Sequence, residues 1–263
     1  MDKNLYHRLE RLTRKWWFYL LLFVIPAAIP PFSTTGLGYW HQLKDFTWYV
    51  SDMVYAKKVT YAASMPLMHL LVVALFAALL YWGKRFGRAF SFLVALNFVY
   101  VAFIQSSVTT DRYGVVIISE LFTWYLVALL LWLWEGVSSR NDYTWEKDRL
   151  RPYWAIPLAL IAFWDPDQLW QLHLSYFVKS YAPTSFCMMT PIYLTVLLFI
   201  YPKVNILLLR VHGFIGIVIG VITLVIAFMK EPSDGFYWTL LHVPLIAIST
   251  YSFILGLRTN PHE

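Results

Sequence analysis

Charged residues and cysteine are scarce in this sequence, and both shortages exclude classes of protein. Of the 263 residues, 14% are charged and 59% are hydrophobic, whereas soluble chains average about 25% charged and about 45–50% apolar. The single cysteine, Cys187, excludes an internal disulfide and a cysteine metal cluster. Phosphate-binding glycine loops, zinc-protease His-Glu-x-x-His pairs and hydrolase Gly-x-Ser-x-Gly elbows are also missing. We therefore expect one integral membrane domain over residues 1–263, and no enzymatic activity is indicated.

Long apolar segments dominate what remains. A helix needs about 20 mostly apolar residues to cross a bilayer, within a range of about 17–25. The sequence predicts an all-α, polytopic transmembrane bundle with eight spanning helices. Their approximate bounds are 16–33, 61–82, 89–108, 114–135, 152–169, 185–201, 211–229 and 236–257. The first is interpreted as a retained helix, because it follows a long basic start and no small-x-small cleavage site is evident.

The basic residues predict the orientation of the bundle, because cytoplasmic loops carry an excess of Lys and Arg. With eight spans and a cytoplasmic N-terminus, 15 of the 21 basic residues fall in inner segments and six in outer segments. Both termini are therefore predicted to be cytoplasmic, and the cytoplasmic (plasma) membrane is the expected location. This bias explains the net charge of +6 without nucleic-acid binding.

Polar residues inside the predicted spans indicate where a binding site would lie. Glu120 falls within the fourth segment, and a carboxylate in lipid costs about 2.5–3.5 kcal/mol on insertion scales. At about 1.5 Å per residue, Glu120, His69 and His242 lie roughly 9–13 Å below the outer boundary. We predict that these three converge on one ligand, water or ion in the outer leaflet. The other binding candidates at this end are Gln105, Asn97 and Asp165.

Prolines and glycines predict how the spans pack. Pro66 and Pro244 lie next to His69 and His242, where a bend would open a cavity or only shape the packing. Gly216 and Gly220 are four residues apart in the seventh segment, a spacing that lets two membrane helices approach closely.

Three functions remain open from the sequence. The first is a transporter or permease for a small solute or cation, with Glu120 as the coupling or coordinating carboxylate. The second is a non-catalytic membrane subunit or assembly factor that docks partner proteins through an aromatic outer surface, formed by residues 34–60 and 165–184. The third is a haem- or metal-handling protein that uses His69 and His242, with Glu120 as a further metal ligand.

The expected partners are the lipid bilayer and either another membrane protein or a second copy of the chain. The sequence requires no cofactor, and haem or a metal enters only with the third function. A hydrated pocket between the second, fourth and eighth helices would favour the first or third function. A tightly packed bundle would favour the second.

Overall fold

A computed structural model describes residues 3–35, 62–144, 151–164, 173–230 and 232–259, with the backbone alone for 3, 62, 227–230 and 232–241. Helices account for most of these residues, so the all-α class is confirmed. In chain order they are α1 (Lys3–Leu12), α2 (Trp16–Ala28), α3 (Met65–Trp82), α4 (Lys84–Gln105), α5 (Ser119–Ser138), α6 (Ala155–Trp164), α7 (Tyr176–Lys179), α8 (Phe186–Ile200), α9 (Ile206–Lys230) and α10 (Pro232–Arg258). Two short 3-10 turns occupy Ala62–Ser64 and Ala182–Thr184.

Four of the described helices are long and apolar enough to cross a membrane, namely α3, α4, α5 and the Ile206–Ile226 part of α9. A fifth crossing results if Tyr176–Thr184 and α8, which meet at 92°, form one broken span. All eight predicted segments contain a helix, but α2, α6 and the His242–Arg258 part of α10 are shorter. The 13 residues of α2 reach about 20 Å, against about 30 Å of hydrocarbon. The fold is therefore consistent with a membrane protein of four or five spans.

A small antiparallel sheet replaces the start of the predicted fourth helix. The strands are β1 (Phe32–Ser33), β2 (Ser107–Thr110) and β3 (Gly114–Ile117), and β3 lies in the middle. The run from Val115 to Ile118 is β-branched and favours a strand, and Gly114 supplies the positive φ of +65° that the hairpin requires. The prediction of helix over 114–135 is wrong at this end, because α5 begins at Ser119.

The core lies where α4, α5, α8 and α9 meet, and aromatic rings fill it. Phe90 of α4, Trp132 of α5 and Tyr193 of α8 are fully buried, with ring centroids 5.9–6.3 Å apart. Such tilted and edge-on ring pairs are favourable beyond the area that they bury. This part of the bundle is therefore closely packed.

The interface of α9 with α10 confirms the prediction drawn from the glycines. A Cβ added to Gly216 would lie 2.1 Å from Ser249 Oγ, and one added to Gly220 would lie 2.7 Å from a side-chain atom of Ile246. Only glycine lets the two helices approach so closely.

Candidate functional site

Glu120 lies at the end of its helix and not deep within it. It occupies the first turn of α5 and is half-buried. The helix from residue 114, on which the depth of roughly 9–13 Å was based, is wrong at its start, because β3 takes the residues that would have preceded Glu120 in the helix. A carboxylate in a first helical turn is stabilised by the positive end of the helix dipole, typically by about 0.3–1 kcal/mol. The position of Glu120 therefore has a structural explanation that requires no bound ion.

His69 is a buried side chain that joins three elements. It lies in the second turn of α3, since that helix begins at Met65. Its Nδ1 donates to Met65 O at 2.9 Å, because a carbonyl can only accept, and its Nε2 lies 3.2 Å from Ser180 Oγ. Ser180 Oγ is also 3.3 Å from Phe163 O. With the ring proton on Nδ1, Nε2 of the neutral imidazole is an acceptor, so the single Ser180 hydroxyl proton is donated either to Nε2 or to Phe163 O. Through Ser180, His69 connects α3 to the residue after α7 and to the end of α6.

The two prolines flanking the predicted site differ in role. Pro66 lies in the first turn of α3, where proline is tolerated without bending a helix. A bend at Pro66 that opens a cavity is therefore wrong. Pro244 lies inside α10, where a proline removes one helical hydrogen bond.

Asn97 and Gln105 hold the bent segment that leads into α8. Asn97 Nδ2 donates to Pro183 O at 2.8 Å, and its Oδ1 accepts a hydrogen bond from Tyr193 Oη at 3.1 Å. Gln105 Oε1 accepts from the backbone N–H of Phe186 at 2.8 Å. That N–H belongs to the first turn of α8 and has no partner within the helix. Both amides therefore act on backbone that would otherwise lack partners in an apolar environment.

The described positions of the predicted residues do not support one shared metal site. Helix α3, with His69, packs mainly on α4 and α7, whereas α10, with His242, packs on α9, α8 and α6. Among the described residues, no group of three or more His, Cys, Asp or Glu side chains is placed to hold a metal ion. A metal shared by His69, Glu120 and His242 therefore has no support among the described residues and stays a prediction. Asp165 lies outside the described residues.

A buried carboxylate that the sequence analysis missed lies at the other end of α5. Glu135 is 1% exposed. Its Oε1 accepts from the Asn141 backbone N–H and its Oε2 accepts from Asn205 Nδ2, each at 2.7 Å. Asn141 Oδ1 in turn accepts from the Asn205 backbone N–H at 2.6 Å. A negative charge in the last turn of a helix is disfavoured by the helix dipole. The position of Glu135 could therefore have indicated from the sequence that its carboxylate needs strong hydrogen-bond donors.

The same hydrogen-bond network continues into α4. Asn141 Nδ2 donates to Tyr143 Oη at 3.1 Å, and Ser91 Oγ donates to Gly87 O at 3.1 Å. Because the Ser91 proton is used in that bond, Tyr143 Oη donates to Ser91 Oγ, 3.4 Å away. Burial raises the pKa of the Tyr143 hydroxyl above its ordinary value. We call Glu135, Asn141, Asn205, Tyr143 and Ser91 the Glu135 network.

His212 is a second residue that the sequence analysis missed, and it lies in the centre of the bundle. It is fully buried, and its Nδ1 accepts from Trp132 Nε1–H at 3.1 Å. The proton of the neutral ring therefore resides on Nε2, which faces Thr190 Oγ1 at 3.3 Å. The phenyl ring of Phe98 packs edge-on against the imidazole, with centroids 5.3 Å apart. A histidine between Val211 and Gly213 in an apolar run was the available sequence signal.

Arg210 fixes the N-terminal helix to the bundle. Its guanidinium is fully buried, with Nη2 donating to Gly256 O at 2.7 Å. Nη1 donates to Glu10 O at 3.2 Å and to Thr13 Oγ1 at 2.9 Å. The predicted seventh segment begins at residue 211, five residues after Ile206, where α9 begins. Arg210 was therefore counted with a loop, and its role in joining α1, α9 and α10 was missed.

The buried polar groups described above share one chemical property. Each donates to or accepts from another part of the bundle, and most partners lie on a different helix or loop. Ligand coordination by the imidazole of His69 or His212 would require breaking these bonds. The arrangement therefore suits the fixing of helix ends and bends.

Comparisons with protein-family models, with curated proteins and with solved structures found no match to this chain.

Proposed function

We propose that the protein is a non-catalytic membrane subunit or assembly factor that docks a partner membrane protein. One observation carries this proposal. Three of the polar candidates for ligand binding instead fix residues 173–186 to the bundle, namely Asn97, Gln105 and His69. We call residues 173–186 the platform.

The platform is held from several sides. Besides the three polar contacts, Trp164 of α6 stacks on Phe177 with ring centroids 4.8 Å apart, and Trp164 Nε1 donates to His173 O at 3.0 Å. A rigid surface loses little conformational entropy when a partner binds. This rigidity supports a docking role better than a mobile segment would.

Two apolar side chains of the platform are exposed, beside the exposed polar residues His173, Ser175 and Lys179. Leu174 is 78% exposed and Val178 is 47% exposed. Val178 lies in α7, and Leu174 lies two residues before that helix. Contiguous exposed apolar patches are typical of protein–protein contact sites, and we propose that these two side chains belong to one. The remaining aromatic residues predicted for this surface, in 36–61 and 165–172, lie outside the described residues.

Photo-crosslinking in the cells that naturally produce the protein tests the proposal. A benzoylphenylalanine placed at Leu174 or Val178 should give discrete protein adducts after illumination. Leu80 of α3 is the matched control, since it is 64% exposed on an apolar helix and should meet only lipid. An adduct of twice the chain mass would identify a second copy as the partner.

Two results would overturn the docking role. One is the absence of protein adducts at both platform positions although the residue is incorporated. The other is an equal adduct pattern at Leu80, because indiscriminate crosslinking shows no preferred surface.

A small-solute or cation transporter is the second candidate, and the burial of His212 supports it. A titratable side chain inside a membrane bundle is often part of a transport path. A transporter should give ion or proton flux in liposomes above the protein-free level, and the flux should fall in His212→Phe or Glu120→Gln. A membrane subunit should give no flux with any of the three proteins.

We also propose that all eight apolar segments cross the plasma membrane, with both termini cytoplasmic. The distribution of basic residues supports this orientation. Cysteines placed at each terminus, after replacement of Cys187, should resist an impermeant thiol reagent added to intact cells. Labelling of either terminus from outside would contradict the orientation.

A further inference from the structure

We propose that the exposed basic face of α1 binds anionic phospholipid headgroups at the membrane surface where α2 begins. Arg8 and Arg11 lie three residues apart on α1 and share one face of that helix. Lys15 follows α1 in extended conformation, directly before α2, and all three side chains are exposed. We call them the basic triplet. This inference does not depend on the docking role of the platform.

The opposite face of α1 prevents the helix from rotating. Glu10 and Thr13 are buried there, where Glu10 O and Thr13 Oγ1 accept from the guanidinium of Arg210. The Tyr19 hydroxyl of α2 also donates to Thr13 O. The basic triplet therefore keeps a fixed direction relative to α2.

The triplet lies at the level of lipid headgroups. Lys15 directly precedes α2, whose 13 residues are apolar. Trp16 is 75% exposed at this junction, and tryptophan is enriched at the boundary between lipid and water. A helix with a basic face beside this boundary is suited to the interface plane.

One basic residue of the same region has an internal role and serves as a comparison. The guanidinium of Arg14 lies 3.7 Å from Glu10 Oε1, and it also donates to Thr259 O. Arg14 is half-buried, so it does not belong to the triplet. The chain thus satisfies one cation internally and leaves three others exposed.

Anionic phospholipid is the occupant that fits this placement. Its phosphates lie at the depth where α2 enters the bilayer, and each Lys or Arg near such a surface strengthens binding roughly five-fold. Three residues acting together correspond to a preference of up to about 100-fold over a neutral lipid. The attraction is electrostatic and weakens with salt.

Native mass spectrometry of the full chain in detergent tests the proposal. The protein is titrated with phosphatidylglycerol or with phosphatidylcholine. Wild type should bind phosphatidylglycerol at least about ten-fold more tightly than phosphatidylcholine, which is part of the maximal preference. The variant R8Q/R11Q/K15Q should bind both lipids equally, whereas R8K/R11K should keep the preference because it keeps the charge.

A matched control removes the same number of charges elsewhere. R112Q/K179Q/K203Q alters three exposed basic residues and should retain the wild-type preference. Inorganic phosphate, added at constant ionic strength, should not displace the lipid if an anionic membrane surface is the true occupant. Displacement by phosphate would assign the triplet to a free anion instead.

Three further outcomes would overturn the inference. The first is a wild type without preference for the anionic lipid, and the second is an R8Q/R11Q/K15Q variant that keeps the preference. The third is a control variant that loses as much preference as the triplet variant, because the effect would then depend only on total charge.

Discussion

Replacing Glu135 tests whether the Glu135 network stabilises the bundle. Glu135→Gln keeps the size of the side chain but turns one acceptor oxygen into a donor NH2 group. The Asn141 backbone N–H and Asn205 Nδ2 both need acceptors there, so one buried donor is left unpaired. A buried donor without a partner costs about 1–3 kcal/mol. Glu135→Ala removes both acceptors and should cost about 2–6 kcal/mol.

The matched control is Glu120→Gln, which changes the same residue type at the other end of the same helix. Glu120 is half-buried in the first turn of α5, so only its interaction with the helix dipole is lost, about 0.3–1 kcal/mol. The free energy of unfolding is measured for each detergent-solubilised variant by titration with a denaturing detergent, followed by circular dichroism.

The free energy of unfolding should be highest for wild type and should fall in the order Glu120→Gln, Glu135→Gln, Glu135→Ala. The reasoning fails if Glu135→Gln is as stable as wild type. It also fails if Glu120→Gln loses more stability than Glu135→Gln, because Glu120 would then hold a contact that the described residues do not reveal.

Two further predictions follow from the geometry. Gly216→Ala should lower the free energy of unfolding by about 1–3 kcal/mol through overpacking, since its Cβ would lie 2.1 Å from Ser249 Oγ. Adding Ser249→Ala should recover part of this loss. An unchanged free energy of unfolding in Gly216→Ala would refute the close approach of the two helices. The hydrogen bond from Thr144 Oγ1 lowers the pKa of Asp142, so Asp142 contributes stability above its unfolded pKa of about 3.9. That contribution is lost as pH falls through the lower folded pKa, so Asp142→Asn and wild type should differ in stability at pH 7 and converge at low pH; a constant difference would contradict the assignment.

Apolar length was the part of the fold that could be predicted, because it is a local property of the chain. Each predicted segment contains a helix, and the Gly216–Gly220 spacing correctly predicted a close helix contact. The predicted start of the helix now called α5 was wrong, because hydropathy alone does not distinguish a strand from a membrane helix at Val115 and its neighbours. Pairing with β1 and β2 decides between them, and that pairing is not local.

The candidate site was less predictable. A polar residue in an apolar segment indicates that its burial costs free energy, but it does not indicate which group will be its hydrogen-bond partner. Asn97 and Gln105 were predicted as candidates for ligand binding, whereas the partners that they bond in the structure lie 86 and 81 residues away in the chain. Glu135 was passed over because it lies at a helix end, where charge is common. Its role depends on Asn205, 70 residues further on.

The sequence by itself determined that this chain forms apolar helices, and it placed an excess of positive charge on one set of the predicted loops. Those properties depend on hydrophobicity and charge counted along the chain. Only the tertiary structure decided which polar groups meet, since hydrogen bonds join atoms within about 3 Å of each other regardless of sequence distance. In the tertiary structure His69, a predicted ligand, forms a contact between helices, and the buried Arg210 fixes α1 to the bundle.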